Sequence, residues 1–149
     1  MKLLITSTSF QDTAGKHQEL IHNQNFDIDF LRGPLNEDEL IPIIDKYDFV
    51  ICGDDDYNKA VLEKGRSGRL KVLSKYGIGL DKIDLKTADR LGVKVFNTPN
   101  INSEAVAEHV FALLLSFEKN IISEDKFIKK NKWTRLIGHE LFKKKILVM

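Results

Sequence analysis

Short apolar runs separated by longer amphipathic segments set the rhythm of the first hundred residues. Leu3-Leu4-Ile5 opens as a strand, and a polar loop leads into a helical stretch through Leu20-Ile21. Phe26-Asp27-Ile28-Asp29-Phe30 alternates with period two, which predicts a strand with one solvated face. Asn36 is placed to cap a helix whose first turn, Glu37, Asp38 and Glu39, suits the positive end of the helix dipole. Phe49-Val50-Ile51-Cys52 is continuously apolar, the mark of a strand buried on both faces. A helical stretch from Tyr57 to Lys64, a strand at Leu70-Lys71-Val72-Leu73, a helix from Ile83 to Leu91 closed by Gly92, and a fifth strand at Val93-Lys94-Val95-Phe96 follow. Strands alternating with helices of about ten residues predict βαβ units and a parallel α/β sheet.

From Ser103 the pattern changes. Asn102 or Ser103 can cap a helix with Glu104 in its first turn, and Val110-Phe111-Ala112-Leu113-Leu114-Leu115 is apolar all round. Such a helix is expected to be covered on most sides. Its uncharged stretch, Val110 to Phe117, falls far short of the about 20 residues that cross a bilayer, so no membrane partner is expected. Ser123 to Asn131 reads as a lysine-rich helix and Trp133 to Lys145 as loop. The terminal Ile146-Leu147-Val148-Met149 reads as the first strand of a new sheet.

Composition narrows the function classes. The 149 residues hold 23 Lys and Arg against 22 Asp and Glu, a net charge of +1. That balance argues against a nucleic-acid partner, which needs clustered surplus cations. A single cysteine, Cys52, excludes a disulfide framework and a cysteine-rich zinc site, and it reads as a small core hydrophobe. The first ten residues do not form a signal peptide, which leaves a cytoplasmic location as the expectation.

Few stretches carry chemistry. Tyr76-Gly77-Ile78-Gly79 follows directly on a buried strand, and paired glycines there turn the backbone sharply and expose N–H groups to an anion such as a carboxylate. A plain strand-to-helix turn is the competing reading. The loop is no dinucleotide fingerprint, because Lys82 replaces the third glycine of G-x-G-x-x-G. Asp54-Asp55-Asp56 lacks the alternate spacing of a metal loop and reads better as the acidic start of a helix; no metal site is expected. His17, His22, His109 and His139 show no paired spacing, and His109, beside Glu108 on the apolar helix, suits structure or an interface. Lys126, Lys129, Lys130 and Lys132 form a solvated basic face.

Three stretches taken together are more specific. They are Leu73 through Leu85 around the glycine loop; Asn97-Thr98-Pro99 with Asn102 through His109; and Trp133, Gly138, Glu140-Leu141 and Lys145 through Val148. In order and spacing they resemble the D-isomer-specific 2-hydroxyacid dehydrogenases, the family that includes phosphoglycerate dehydrogenase, glyoxylate reductase and formate dehydrogenase. The resemblance covers the whole chain. It implies a flavodoxin-like, doubly wound substrate domain over residues 1–98. Residues 99–149 would then be a linker, long helix and first strand of an incomplete Rossmann-type NAD(P) domain. It also implies that backbone N–H groups of Gly77, Ile78 and Gly79 bind the substrate carboxylate, that Asn102 contacts substrate, and that Val106 packs on the nicotinamide side of the cleft. Asn100 stands where many members have glycine.

The full enzyme implied by the resemblance moves a hydride between NAD or NADP and C2 of a small 2-hydroxy or 2-oxo acid, as a homodimer. Its catalytic arginine, acid and histidine, and its pyrophosphate loop, are expected beyond residue 149, so the chain alone is expected to be inactive. The rival readings are a standalone module that binds small carboxylates and a dimerisation piece built on the apolar helix.

Overall fold

The computed structural model describes residues 1–147 and divides into two compact units, Met1–Asn100 and a second that starts at Ile101. In the first unit the chain runs through β1 (Lys2–Ile5), α1 (Thr8–Asp12), α2 (Lys16–His22), β2 (Asp27–Phe30) and α3 (Glu37–Leu40). After a 3-10 turn at Ile44–Lys46 come β3 (Phe49–Cys52), α4 (Lys59–Ser67), β4 (Val72–Lys75), α5 (Leu85–Leu91) and β5 (Lys94–Phe96). The strands form one sheet in the order β2-β1-β3-β4-β5, every pair parallel. This is the doubly wound, flavodoxin-like order, in which the chain goes outward from β1 to β2 and then returns across β1 to β3.

The alternation of strand side chains builds a core on each face. Leu4, Val50, Cys52 and Leu73 face a larger cluster with Leu40, Ile44, Tyr57, Val61, Leu62, Leu70 and Ala88. Leu3 and Ile5 face a smaller one with Phe10, against which Ile21, Phe26, Ile28, Phe49 and Ile51 pack. Burial on both faces explains why β3 reads as continuously apolar.

Local chemistry fixes the ends. Asn36 caps α3 in a full capping box: its side chain accepts from the Glu39 N–H at 3.1 Å while Glu39 accepts from the Asn36 N–H at 2.9 Å. Gly92 closes α5 in the left-handed conformation at φ 69°. Several boundaries move from those the sequence suggests; α5, for one, starts at Leu85 after its Asp84 cap rather than at Ile83. Asn58 caps α4 by accepting from the Val61 N–H, so the helix starts at Lys59, and Tyr57 instead bridges to Ile83 and is fully buried. Leu70 and Lys71 precede β4 rather than begin it. At the edge strand β2, Phe30 is exposed and Asp29 is half-buried, accepting from the Tyr47 hydroxyl at 2.8 Å and pairing with Lys2 at 2.9 Å. The period-two pattern is therefore present, but a tyrosine and a lysine occupy the side expected to be wet.

The second unit holds α6 (Ser103–Glu118) and α7 (Ile121–Lys129), followed by irregular chain. The Glu118 carbonyl accepts from the His139 N–H at 2.9 Å, and the Ile137 carbonyl accepts from the Asn120 side chain at 3.0 Å. Gly138 permits this approach: a Cβ there would stand 2.6 Å from the Glu118 carbonyl oxygen. The expectation that α6 is covered on most sides is corrected. Neither helix carries a buried residue, and Val110, Phe111, Leu113 and Leu115 are all exposed, because α7 and the following chain reach only part of α6. Ile146 and Leu147 are not in a strand, and Val148 and Met149 lie outside the described residues.

At the amino ends of the strands one carboxylate does the joining. Asp48, 4% exposed at its side chain, accepts from the Lys2 backbone N–H at 2.8 Å, from Arg69 at 2.6 Å and from Lys71 at 3.1 Å. The Lys2 N–H and the two cations hold its carboxyl down at about 2. A depressed carboxyl stabilises the fold above its ordinary value near 3.8 and loses that contribution as pH falls toward 2. Thermal unfolding of wild type and Asp48→Asn from pH 7 to pH 2 should show the variant less stable by about 2 kcal/mol at neutral pH and the two curves converging near pH 2.

Candidate functional site

Parallel sheets of this order place ligands outside the carboxyl ends of the strands, at the point where the winding reverses. Here that point lies between β1 and β3, and a cleft of about 230 Å³ occupies it. Thr6, Ser7, Thr8 and Ser9 after β1, Gly33 and Pro34 after β2, Gly53 and Asp54 after β3, and Lys75 to Gly79 at and after β4 line it.

The glycine loop is pinned through its carbonyls. Thr98 N–H donates to the Gly77 carbonyl at 3.0 Å, the Asn97 side chain donates to the Ile78 carbonyl at 2.8 Å, and the Tyr76 N–H donates to the Cys52 carbonyl at 2.9 Å. The N–H groups of Gly77, Ile78 and Gly79 donate to no acceptor among the described residues. Three successive unspent donors beside a cleft form a concavity suited to an anion. Gly77 sits at φ 154°, a conformation that side chains rarely adopt, and a Cβ there would stand 3.2 Å from Lys75 Cε.

Opposite this loop the wall is polar and fixed. Asp55, fully buried, accepts from the Thr6 hydroxyl at 2.5 Å, the Leu35 N–H at 2.7 Å and the Gly53 N–H at 3.1 Å. Ser7 accepts from the Phe10 N–H and caps α1. Lys75 Nζ donates to the Gly53 carbonyl at 2.6 Å and to Asp54.

The sequence placed these acids differently. Asp54, Asp55 and Asp56 do not start α4, which Asn58 caps; they diverge to Lys75, to the buried donors, and to Lys82 at 2.9 Å. Among the described residues no cluster of acids, histidines or cysteine could hold a metal ion. Cys52 is fully buried, its thiol pushed up to about 12 by burial and by nearby Asp55, so it is no nucleophile. None of the four histidines lines the cleft; His17 packs on Phe10 and Tyr76 at ring distances of 4.7 and 5.9 Å.

Of the residues singled out from the sequence, Gly77, Ile78 and Gly79 come together in the cleft. Asn102 and Val106 belong to the second unit: Asn102 is the N-cap position of α6, its carbonyl accepting from the Val106 N–H at 2.9 Å, and both side chains are exposed. Asn100 takes a left-handed conformation at φ 62°, which asparagine tolerates where glycine is the usual choice.

Comparison with known proteins decides the family. The model of the D-isomer specific 2-hydroxyacid dehydrogenase catalytic domain matches residues 4–137. The chain belongs to that family. It is 33% identical over 118 residues to D-3-phosphoglycerate dehydrogenase of Synechocystis sp., covering 77% of this chain and 21% of that protein. It is 35% identical over 113 residues to hydroxypyruvate reductase of Thermotoga maritima, covering 74% and 36%. A solved pyruvate reductase of Chlamydomonas reinhardtii shares the fold with a TM-score of 0.77 at 22% identity, over 95% of this chain and 42% of that one. The chain thus spans about a fifth to two fifths of the length of these relatives.

The sequence reading missed Thr6 to Ser9, Asp55 and Lys75. Their shared signal is position: each follows or ends a strand, where a parallel sheet collects its ligand contacts. Replacing Gly77 by alanine tests the loop. The conformation costs a non-glycine residue about 1–3 kcal/mol, so in a titration with glycolate followed by amide NMR the variant should bind about tenfold more weakly, with the fold intact.

Proposed function

We propose that this chain is the substrate-holding part of an NAD(P)-linked D-2-hydroxyacid dehydrogenase. The observation that carries the reading is the run of unspent N–H groups at Gly77, Ile78 and Gly79 in the cleft where the sheet winding reverses. Those donors grip the carboxylate of a small 2-hydroxy or 2-oxo acid, and the pinned carbonyls of Gly77 and Ile78 keep the grip in place. A fixed carboxylate turns C2 in one direction, and that orientation is what the loop contributes to rate. Asn102 contacts the same substrate and Val106 packs against the nicotinamide in this reading.

NAD or NADP supplies the hydride when bound. The described residues do not form a dinucleotide cradle of their own, since Lys82 interrupts the glycine spacing and pairs with Asp56 instead. Among the described residues no histidine–carboxylate pair lines the cleft.

In this reading residues 1–98 form the substrate domain, and residues 99–149 supply a linker and the long helix of a Rossmann-type NAD(P) domain. The chain works in the cytoplasm as a homodimer in the same reading. The exposed apolar residues of α6, among them Val110, Phe111 and Leu113, support the dimer. No helix of the described residues is long and apolar enough to cross a membrane.

The 149-residue chain should bind glycolate and D-lactate in an NMR titration, with shifts centred on Gly77 to Gly79, and show no NADH oxidation with a panel of 2-oxo acids. Saturable turnover, or shifts confined to residues outside the cleft, would overturn the reading. In sedimentation at micromolar concentration the chain should run as a dimer, and Phe111→Glu should run as a monomer.

A further inference from the structure

Each backbone N–H shares one planar amide with the carbonyl of the residue before it, so whatever holds that carbonyl also sets the N–H on its far side. In the glycine loop the Ile78 carbonyl, which accepts from the Asn97 side chain at 2.8 Å, is one amide with the Gly79 N–H. The Gly77 carbonyl, which accepts from the Thr98 N–H at 3.0 Å, is one amide with the Ile78 N–H. Two of the three unspent donors therefore belong to amides held from behind, and both ties come from consecutive residues after β5. Register brings them there: Phe96 stands opposite Ser74, so the chain leaving β5 runs beside the chain leaving β4. Pro99 stiffens this segment, because it restricts the backbone of Thr98 before it.

The two ties differ in kind. The Thr98 tie is made by the backbone, whereas the Asn97 tie depends on one side chain. Asn97 is half-buried and is not among the residues that line the cleft. A hydrogen bond accepted by a carbonyl fixes the plane of its amide and polarises it, so that the N–H of the same amide donates more strongly. We propose that Asn97 is a positioning residue for the acid bound in the cleft: by holding the Ile78 carbonyl it aims and strengthens the Gly79 N–H as a carboxylate donor. The effect runs both ways. A carboxylate on the Gly79 N–H makes the Ile78 carbonyl a better acceptor, so the bound acid tightens the Asn97 tie without touching it. This inference rests on the proposed grip of the carboxylate by Gly77 to Gly79.

Glycolate titrated into the 149-residue chain, followed by NMR of backbone and side-chain amides, separates the outcomes. In wild type the Gly79 N–H and the Asn97 side-chain N–H signals should both move downfield as glycolate saturates. Asn97→Ala should bind glycolate about fivefold more weakly, the effect of losing one hydrogen bond. Its Gly79 signal should lose most of the glycolate-induced shift, while Ile78, still tied through Thr98, keeps its own. A purely structural role would lower the melting temperature and weaken the three loop amides together. Unchanged affinity in Asn97→Ala, or equal losses at Ile78 and Gly79, would therefore overturn the inference. Should that variant fail to fold, wild type decides: an Asn97 side-chain signal that stays in place at saturating glycolate rejects the coupling. If wild type binds no glycolate, the grip itself falls and this inference with it.

Discussion

The cleft depends on one buried carboxylate. Asp55 takes its three donors from three different places: the Thr6 hydroxyl after β1, the Leu35 N–H after β2 and the Gly53 N–H after β3. Each of those segments leaves a strand with polar backbone to satisfy, and a buried acceptor with several oxygen lone pairs can serve all of them at once. Removing it would leave three donors buried without partners, which costs far more than any one bond contributes. The network makes the wall opposite the glycine loop a single rigid piece, and a rigid wall is what lets backbone N–H groups on the other side define where a ligand sits.

A second buried acid, seven residues earlier, shows what Asp55 is not. Asp48 lies at the amino ends of the strands and is neutralised by Arg69 and Lys71 as well as by the Lys2 N–H. Both acids flank β3, yet one consumes two cations and the other none. Asp55 is served by neutral donors, so the one cation of the cleft, Lys75, is left to the exposed Asp54. The sheet thus closes its charges at one end and leaves a charge with a solvent-exposed counter-ion at the end where the cleft opens.

How legible this was depends on the range of each interaction. Period-two runs, the continuously apolar β3, the Asn36 cap and the Gly92 stop are set by neighbours a few residues apart, and each stands close to where the sequence put it. The position of the glycine loop was legible for the same reason, since its signal is two glycines one residue apart directly after a strand. The fate of the aspartates was not. Three consecutive acids look like a helix start, but Asp54, Asp55 and Asp56 find partners 21, 49 and 26 residues away, distances that no local pattern encodes. Lys75 was hidden by the same rule: it reads as the polar end of a strand until the sheet places Gly53 and Asp54 beside it.

The two units differ in how they hold together, and that difference bears on function. Residues 1–100 bury Leu4, Ile5, Leu62, Leu70 and Leu73 completely, enough apolar surface to order a sheet and its loops without help. In the second unit the joining contacts are backbone and polar, such as the His139 N–H on the Glu118 carbonyl and the Leu136 N–H on Glu124, while Phe111, Phe117, Trp133 and Ile137 stand in water. Polar contacts that trade against water contribute only about 1 kcal/mol each, whereas burying one large apolar side chain contributes about 1.5–3 kcal/mol. Covering α6 is therefore the larger reservoir of free energy in this part of the chain. A surface that docks there would stabilise the second unit far more than the first, which is already complete in its core.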